Sequence, residues 1–209
     1  MVNSKLNDLN KGQTGNTGTT TSEPQLPEGY TWAKDSDFEW RVDCPWYGEW
    51  RYIGTTDKVA IPHTIQGEKV FSYRGMFFGS SVSGVYSDNP NVVDMGWMFS
   101  NSDTASLDLS NFDTSKVENM SFMFYYSKAT SLDLSKFNIS KVTNMGHMFA
   151  GSKTKTLDLS SFDTSSVLDT DSMFKDSLIT EGYARTQEDL DRLNTSSNKP
   201  SALTFKVKP

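Results

Sequence analysis

The chain has 209 residues, a formal net charge of −6 and 35% hydrophobic residues, although 12% of its residues are aromatic. Acidic and basic residues are mixed and no basic block stands out, which argues against nucleic acid as a partner. The chain has one cysteine, Cys44, so it cannot form an intrachain disulfide. Its two histidines, His63 and His147, are too few to favour a histidine-based metal or catalytic site. No apolar run approaches the roughly 18 residues of a membrane-spanning helix, so we expect no membrane insertion.

Residues 1–27 are predicted to form a flexible tail. Residues 10–25 are rich in glycine, threonine, asparagine and serine, which is the composition of a flexible linker. The first six residues lack the apolar stretch of a signal peptide, and the last four carry no anchor. We therefore expect either export without an ordinary signal or a signal that has been removed from this chain.

Residues 28–72 are predicted to form a β-rich N-terminal cap. Short strands are predicted at 59–62 and 68–71, separated by turn residues at 54–57 and 66–67. Four tryptophans of this segment supply either the core of the cap, the interpretation we favour, or a platform for sugars. These four are Trp32, Trp40, Trp46 and Trp50.

Residues 73–178 contain a repeat with a constant step of 25 residues. The segment Ser106–Ser110 recurs at 131–135 and, beginning with threonine, at 156–160. The same step relates Phe112, Phe137 and Phe162; Val92, Val117, Val142 and Val167; and Met95, Met120 and Met145. A Met-Phe pair recurs at 98–99, 123–124, 148–149 and 173–174. Such a repeat predicts coils stacked in a solenoid, in which each coil completes the core of its neighbours.

Each repeat is predicted to contain a strand and a short helix. Leu107 and Leu109 alternate with polar residues, which is typical of a strand. Val117, Met120 and Phe124 fall on one face of a helix. The prediction is an α/β repeat solenoid with a parallel sheet on one face and short helices on the other.

Residues 179–209 are predicted to form a C-terminal cap of one helix and one strand. Thr186, followed three residues later by Asp189, marks a helix start, and Leu190 and Leu193 supply the apolar side of the helix. Residues 202–207 alternate in polarity and are predicted to form the final strand.

The repeat resembles that of the BspA-like leucine-rich-repeat surface proteins. Its motif, Leu-Asp-Leu-Ser-x-Phe-Asp-Thr-Ser-x-Val-x-x-Met-x-x-Met-Phe, is clearest at 107–124 and 132–149, and the third copy departs from it at Thr170. The similarity extends over about residues 70–178. It implies leucine-rich-repeat-like coils in a bacterial or bacteriophage protein, exposed on a cell surface or virion. It also implies binding of host or neighbouring-cell components without enzymatic activity.

Three aspartates share one repeat position and are predicted to line up on the outward side of the sheet. They are Asp108, Asp133 and Asp158. They form either a binding strip for a cation or a basic partner, or solvated surface charge, the interpretation we favour. The methionines keep the repeat register and are interpreted as core rather than as soft-metal ligands. We therefore predict no metal and no cofactor.

Aromatic residues cluster at positions that vary between repeats. One such column contains Trp97, Phe122, His147 and Ser172. If exposed, Phe122, Tyr125 and Tyr126 would make an aromatic patch near Trp97, suited to contact with protein or carbohydrate. Alternatively, these rings cover gaps between coils, and the sequence leaves both interpretations open.

The sequence offers no catalytic constellation. Serine, histidine and aspartate are not placed as nucleophile, base and orienting group, and no phosphate-binding glycine loop is present. The favoured function is extracellular adhesion or recognition of a host or cell-surface protein or glycan through one solenoid face. The alternative is a structural or receptor-binding component of a bacteriophage virion, docked through residues 1–27, and the lack of a signal favours this alternative somewhat.

Overall fold

The structure is a stack of coils, and most coils contribute one short strand at an equivalent position. The computed structural model, which describes residues 25–42 and 48–209, is a β-solenoid of about seven turns with a pitch of about 25 residues. The strands are β1 (Thr31–Trp32), β2 (Phe38–Arg41), β3 (Glu49–Tyr52), β4 (Lys58–Ala60), β5 (Thr64–Ile65), β6 (Glu68–Lys69), β7 (Gly84–Tyr86), β8 (Ser106–Leu107), β9 (Ser131–Leu132), β10 (Thr156–Leu159), β11 (Glu181–Ala184) and β12 (Thr204–Val207). The described residues also contain helix α1 (Gln187–Asn194) and two single 3-10 turns, Asp35–Asp37 and Thr164–Ser166.

Parallel pairing builds the stack. Strands β1, β4 and β7 form one parallel sheet, β8 pairs with β9, and β10, β11 and β12 form another parallel sheet. The register steps by one repeat, so that Leu107 lies opposite Leu132 and Thr156 opposite Glu181. The predicted solenoid is thus confirmed, and parallel pairing continues on both sides of residues 73–178. Most of the predicted tail and Trp46 lie outside the described residues.

The short helices predicted on the second face are wrong. Residues 96–101 and their counterparts form consecutive turns instead. The backbone is left-handed at Trp97 (φ 61°) and Asn101 (φ 54°), and it is left-handed again one repeat later at Phe122 (φ 58°) and Tyr126 (φ 51°). Two left-handed residues, four positions apart in each of these coils, interrupt a right-handed helix. Phe124 therefore reaches the core from a turn, and Val117 and Met120 reach it from the irregular segment before that turn.

Backbone hydrogen bonds of these turns alternate between two partners. The amide of Ser100 donates to the carbonyl of Trp97 in the same coil at 3.0 Å. The amide of Phe99 donates to the carbonyl of Met123 in the next coil at 2.9 Å. Every second amide therefore ties one coil to the next, which a helix with internal bonds does not do.

Phenylalanine rings form a stacked column through the interior. They are Phe77, Phe99, Phe124, Phe149 and Phe174, and successive centroids lie 5.6, 5.9, 5.7 and 6.1 Å apart. Tyr52 extends the column at one end and Phe205 at the other, each with its centroid 5.3 Å from the neighbouring ring. The eight methionines from Met76 to Met173 are buried in the same core, as predicted. Burial of each large side chain contributes about 1.5–3 kcal/mol.

A column of Asx side chains closes the coils at a second position. Asp94, Asn119, Asn144 and Asp169 each accept a hydrogen bond from the backbone amide two residues later, at 2.7 to 3.0 Å. The Asn119 amide group also donates to Asp94 of the preceding coil at 2.9 Å. These side chains accept hydrogen bonds from turn amides that would otherwise have no partner within the protein.

The terminal segments contain most of the elements predicted for them. Strand β4 overlaps the predicted range 59–62, β6 lies within 68–71, and β12 lies within 202–207. Helix α1 is capped by Thr186, whose hydroxyl accepts from the amide of Asp189 at 3.2 Å. The core interpretation of the tryptophans holds for Trp50, which is buried. It is wrong for Trp40, which is 51% exposed.

Candidate binding face

Five aromatic side chains of neighbouring coils lie together at the surface, and we call them the aromatic face. They are Trp97, Phe122, Tyr125, Tyr126 and His147. The rings of Trp97 and Phe122 are stacked with centroids 4.0 Å apart, and His147 continues the stack 4.5 Å from Phe122. Tyr125 packs beside the stack, 5.4 Å from Phe122 and 4.6 Å from Tyr126. The four aromatic residues predicted as a patch are therefore adjacent.

The stacked rings stand on left-handed backbone. The φ angle is 61° at Trp97, 58° at Phe122 and 57° at His147. Such a conformation costs a residue with a side chain roughly 1–3 kcal/mol. The equivalent position is Gly75 in an earlier coil and Ser172 in a later one, and both also have positive φ. Because the coil forms without a ring at this position, the turn itself does not require the aromatic side chains.

Tyr126 is the exception in a second left-handed column. The same position holds Asn101, Gly151 and Asp176 in other coils, which are residue types that tolerate this backbone. Tyr126 adopts it with a bulky ring that is 44% exposed. The next coil leaves room for the ring, since a Cβ atom on Gly151 would lie 2.7 Å from the Tyr126 ring.

His147 belongs to the aromatic face but was not among the predicted site residues. Its imidazole plane lies 7° from the plane of Phe122 and 60° from that of Tyr125. The sequence does carry a signal for His147, since this residue lies 25 residues after Phe122 and so occupies the same repeat position. The aromatic face thus extends over three coils.

The three aspartates predicted as a binding strip are hydrogen-bonded within the chain. Asp108, Asp133 and Asp158 each accept from the backbone amide of the serine two residues later, at 3.1, 3.0 and 2.9 Å. Asp108 also accepts from the Tyr30 hydroxyl at 2.9 Å, and Asp158 from the Lys208 ammonium at 2.6 Å. Hydrogen bonds from the serines lower the pKa of Asp108 and Asp133. All three carboxylates therefore close turns, and those of Asp108 and Asp158 also join distant parts of the chain.

Within residues 25–42 and 48–209, no three His, Cys, Asp or Glu side chains are grouped so that they could hold a metal ion. In the same ranges, every helix is too short or too polar to cross a bilayer. Cys44, the one thiol of the chain, lies outside these ranges.

Comparison with known proteins places the chain in a family. A family model described as "Mycoplasma protein of unknown function, DUF285" matches residues 68–205. Because the match covers well over half of the chain, the protein belongs to this family. No curated protein and no solved structure matched the sequence. The matched range contains the whole aromatic face.

Proposed function

We propose that this member of the DUF285 family is a non-enzymatic recognition module that binds a protein partner through its aromatic face. The observation that carries the proposal is the placement of rings on left-handed backbone, where other coils use glycine, serine, asparagine or aspartate. Residues held in such sparsely populated conformations cluster at functional sites. We infer that binding to a partner is the reason why rings occupy these positions.

The composition of the aromatic face favours protein over glycan as the partner. Protein interfaces are enriched at their centres in tryptophan, tyrosine and phenylalanine, and a few such rings supply most of the binding energy. Tyr125, Tyr126 and His147 add polar edges to an otherwise apolar stack, which suits the border between a buried contact and water. The competing interpretation is structural, in which the half-buried rings fill gaps between coils.

We place the module at a cell surface because its repeats resemble those of the BspA-like surface proteins. Stacked repeats also form the extended surfaces through which solenoid proteins bind their partners. The alternative, a component of a bacteriophage virion, depends on docking through residues 1–27.

A binding screen with two surface substitutions tests the proposal. The full chain is screened against arrays of extracellular proteins and of glycans, and each hit is titrated again with Phe122→Ser and Tyr126→Asn. Both variants introduce a residue that another coil carries at the same position. We expect protein binding to weaken at least about tenfold in each, as for central interface aromatics.

The matched control is Leu168→Thr, which removes an 87% exposed side chain outside the aromatic face and copies Thr143 of the preceding coil. This variant is expected to bind like the wild type. The melting temperature of Tyr126→Asn should stay near that of the wild type, because asparagine tolerates left-handed backbone better than tyrosine does. That of Phe122→Ser should fall by only a few degrees, because another coil forms with serine at this position. Unchanged binding, a large fall in melting temperature, or hits restricted to glycans would each contradict the proposal.

A further inference from the structure

Gly151 lies beneath the ring of Tyr126 in the aromatic face. A Cβ atom on Gly151 would stand 2.7 Å from Cγ and Cδ1 of Tyr126 and 2.8 Å from Cδ2. Because these three distances are nearly equal, that Cβ atom would lie over the flat face of the ring rather than beyond its edge. Cβ atoms essentially never pack within 3.0 Å of another heavy atom, so a side chain at position 151 would displace the ring.

The backbone at position 151 does not by itself require glycine. Gly151 has a φ angle of 67°, and residues at the same position of other coils, Asn101 and Asp176, have φ angles of 54° and 55°. Asparagine and aspartate tolerate this left-handed conformation, so either could occupy position 151 as far as the backbone is concerned. The feature that requires glycine is the ring of Tyr126 above it.

Gly79 occupies the same position in an earlier coil without a ring over it. Its φ angle is also 67°. The amide of Gly79 donates to the carbonyl of Ser100 in the next coil at 2.9 Å, as the amide of Gly151 donates to that of Lys175 at 2.7 Å. No atom outside its chain neighbours would lie within 4 Å of a Cβ atom on Gly79. The two glycines thus share a backbone conformation and differ in the ring contact.

Contacts on two sides hold the Tyr126 ring in a defined orientation. Gly151 lies against one face of the ring, and the Tyr125 ring packs against it with centroids 4.6 Å apart and planes at 69°. Tyr126 nevertheless remains 44% exposed. A side chain that is already ordered loses less conformational freedom when a partner binds, which favours affinity.

We propose that Gly151 is a positioning residue of the aromatic face. Because it has no side chain, the Tyr126 ring lies against the backbone of the next coil, in the orientation that binds the protein partner. The inference rests on the proposed function and adds a residue that acts through Tyr126. Packing alone does not account for the pair, since other coils close with Asn101 or Asp176 at this position and Tyr126 stays largely in contact with water.

Nuclear magnetic resonance of the full chain tests the ring contact without any partner. Protons above the face of an aromatic ring resonate upfield of their ordinary position. The α protons of Gly151 should therefore be shifted upfield in the wild type and return to an ordinary position in Tyr126→Asn, whereas those of Gly79 should be ordinary in both. Ordinary shifts for Gly151 in the wild type would overturn the inference.

Calorimetry tests whether the contact matters for binding. The extracellular protein that binds the wild-type chain most tightly on the array is titrated with Gly151→Asn and with the matched control Gly79→Asn. We expect Gly151→Asn to weaken binding at least about tenfold, as loss of a central interface ring does. Gly79→Asn introduces the same residue at the same backbone conformation and should bind like the wild type.

A double substitution separates this inference from the proposed function. Gly151→Asn should weaken binding no further in a Tyr126→Asn background, because the ring that it displaces is already absent. A loss that persists in this background, or that Gly79→Asn shares, overturns the positioning role. Normal binding by Gly151→Asn beside weakened binding by Tyr126→Asn overturns this role alone. If Tyr126→Asn itself binds normally, the proposed function fails and the positioning role fails with it.

Discussion

Replacing Phe124 with alanine is expected to lower the free energy of unfolding by about 3–5 kcal/mol. Its ring is fully buried and stacks on Phe99 at 5.9 Å and on Phe149 at 5.7 Å. The alanine would leave a gap between two rings that the backbone of neighbouring coils holds apart, so the cavity cannot collapse. Chemical denaturation of the variant and the wild type, followed by tryptophan fluorescence, measures the difference.

The same substitution at an exposed phenylalanine is the control. Phe71 is 52% exposed, and Phe71→Ala should cost less than about 1 kcal/mol, because little apolar area returns to water. Equal losses in the two variants would show that the phenylalanine column does not form the core of the solenoid. Marginal stability of about 5–15 kcal/mol in ordinary domains makes the expected loss at Phe124 large enough to detect without difficulty.

The second large effect is expected at Asp189, where helix α1 meets the coil before it. This buried carboxylate accepts from the Thr164 amide at 2.9 Å and the Thr164 hydroxyl at 2.7 Å. It also accepts from Arg185 and the Thr186 hydroxyl, each at 2.9 Å. Asp189→Asn turns one acceptor into a donor that faces other donors, and we expect it to cost about 3 kcal/mol at neutral pH.

The pH dependence of this loss follows from the pKa of Asp189. Burial acts to raise the pKa, but the hydrogen bonds from Thr164, Arg185 and Thr186 outweigh it and lower the pKa from 3.8 to about 2. A carboxyl group whose pKa is depressed in the folded state contributes stability above its unfolded pKa and loses that contribution as the pH falls. The difference between wild type and Asp189→Asn should therefore narrow by about 2 kcal/mol between pH 5 and pH 2.

Denaturant titrations of both proteins at several pH values test this expectation. Other carboxylates with lowered pKa values that do not contact Asp189, such as Asp108 and Asp133, are common to both proteins, so their effects cancel in the difference. A difference that stays constant from pH 5 to pH 2 would contradict the assignment of Asp189 as an ionised, multiply bonded link between α1 and the coil.

The stacking of coils was predictable from the sequence because constant steps place equivalent residues above one another. Leu107 opposite Leu132 and the columns of valine, methionine and phenylalanine follow directly from the step of 25. The conformation within a coil was harder to predict. Apolar residues three and four apart, such as Val117, Met120 and Phe124, also arise where an irregular segment leads into consecutive turns, so periodicity alone predicted helices.

A signal against helix was nevertheless present in the sequence. The left-handed positions hold Gly75, Gly79, Asn101, Gly151 and Asp176, which are residue types that mark positive φ rather than helix interiors. The aromatic face was predictable as a set of varying positions in register. The left-handed backbone at Phe122 and Tyr126 was not predictable, because aromatic residues rarely adopt positive φ.

Deletion of one whole repeat tests most directly whether 25 residues make one coil. Removing residues 127–151 joins Tyr126 to Ser152, the counterpart of Ser127, and should leave a shorter protein that unfolds cooperatively at a moderately lower temperature. Removing residues 127–139, about half a coil, should abolish cooperative unfolding, because inward and outward side chains exchange places. If the whole-repeat deletion unfolds as the half-coil deletion does, or if both fold equally well, the stack of equivalent coils is not the basis of this structure.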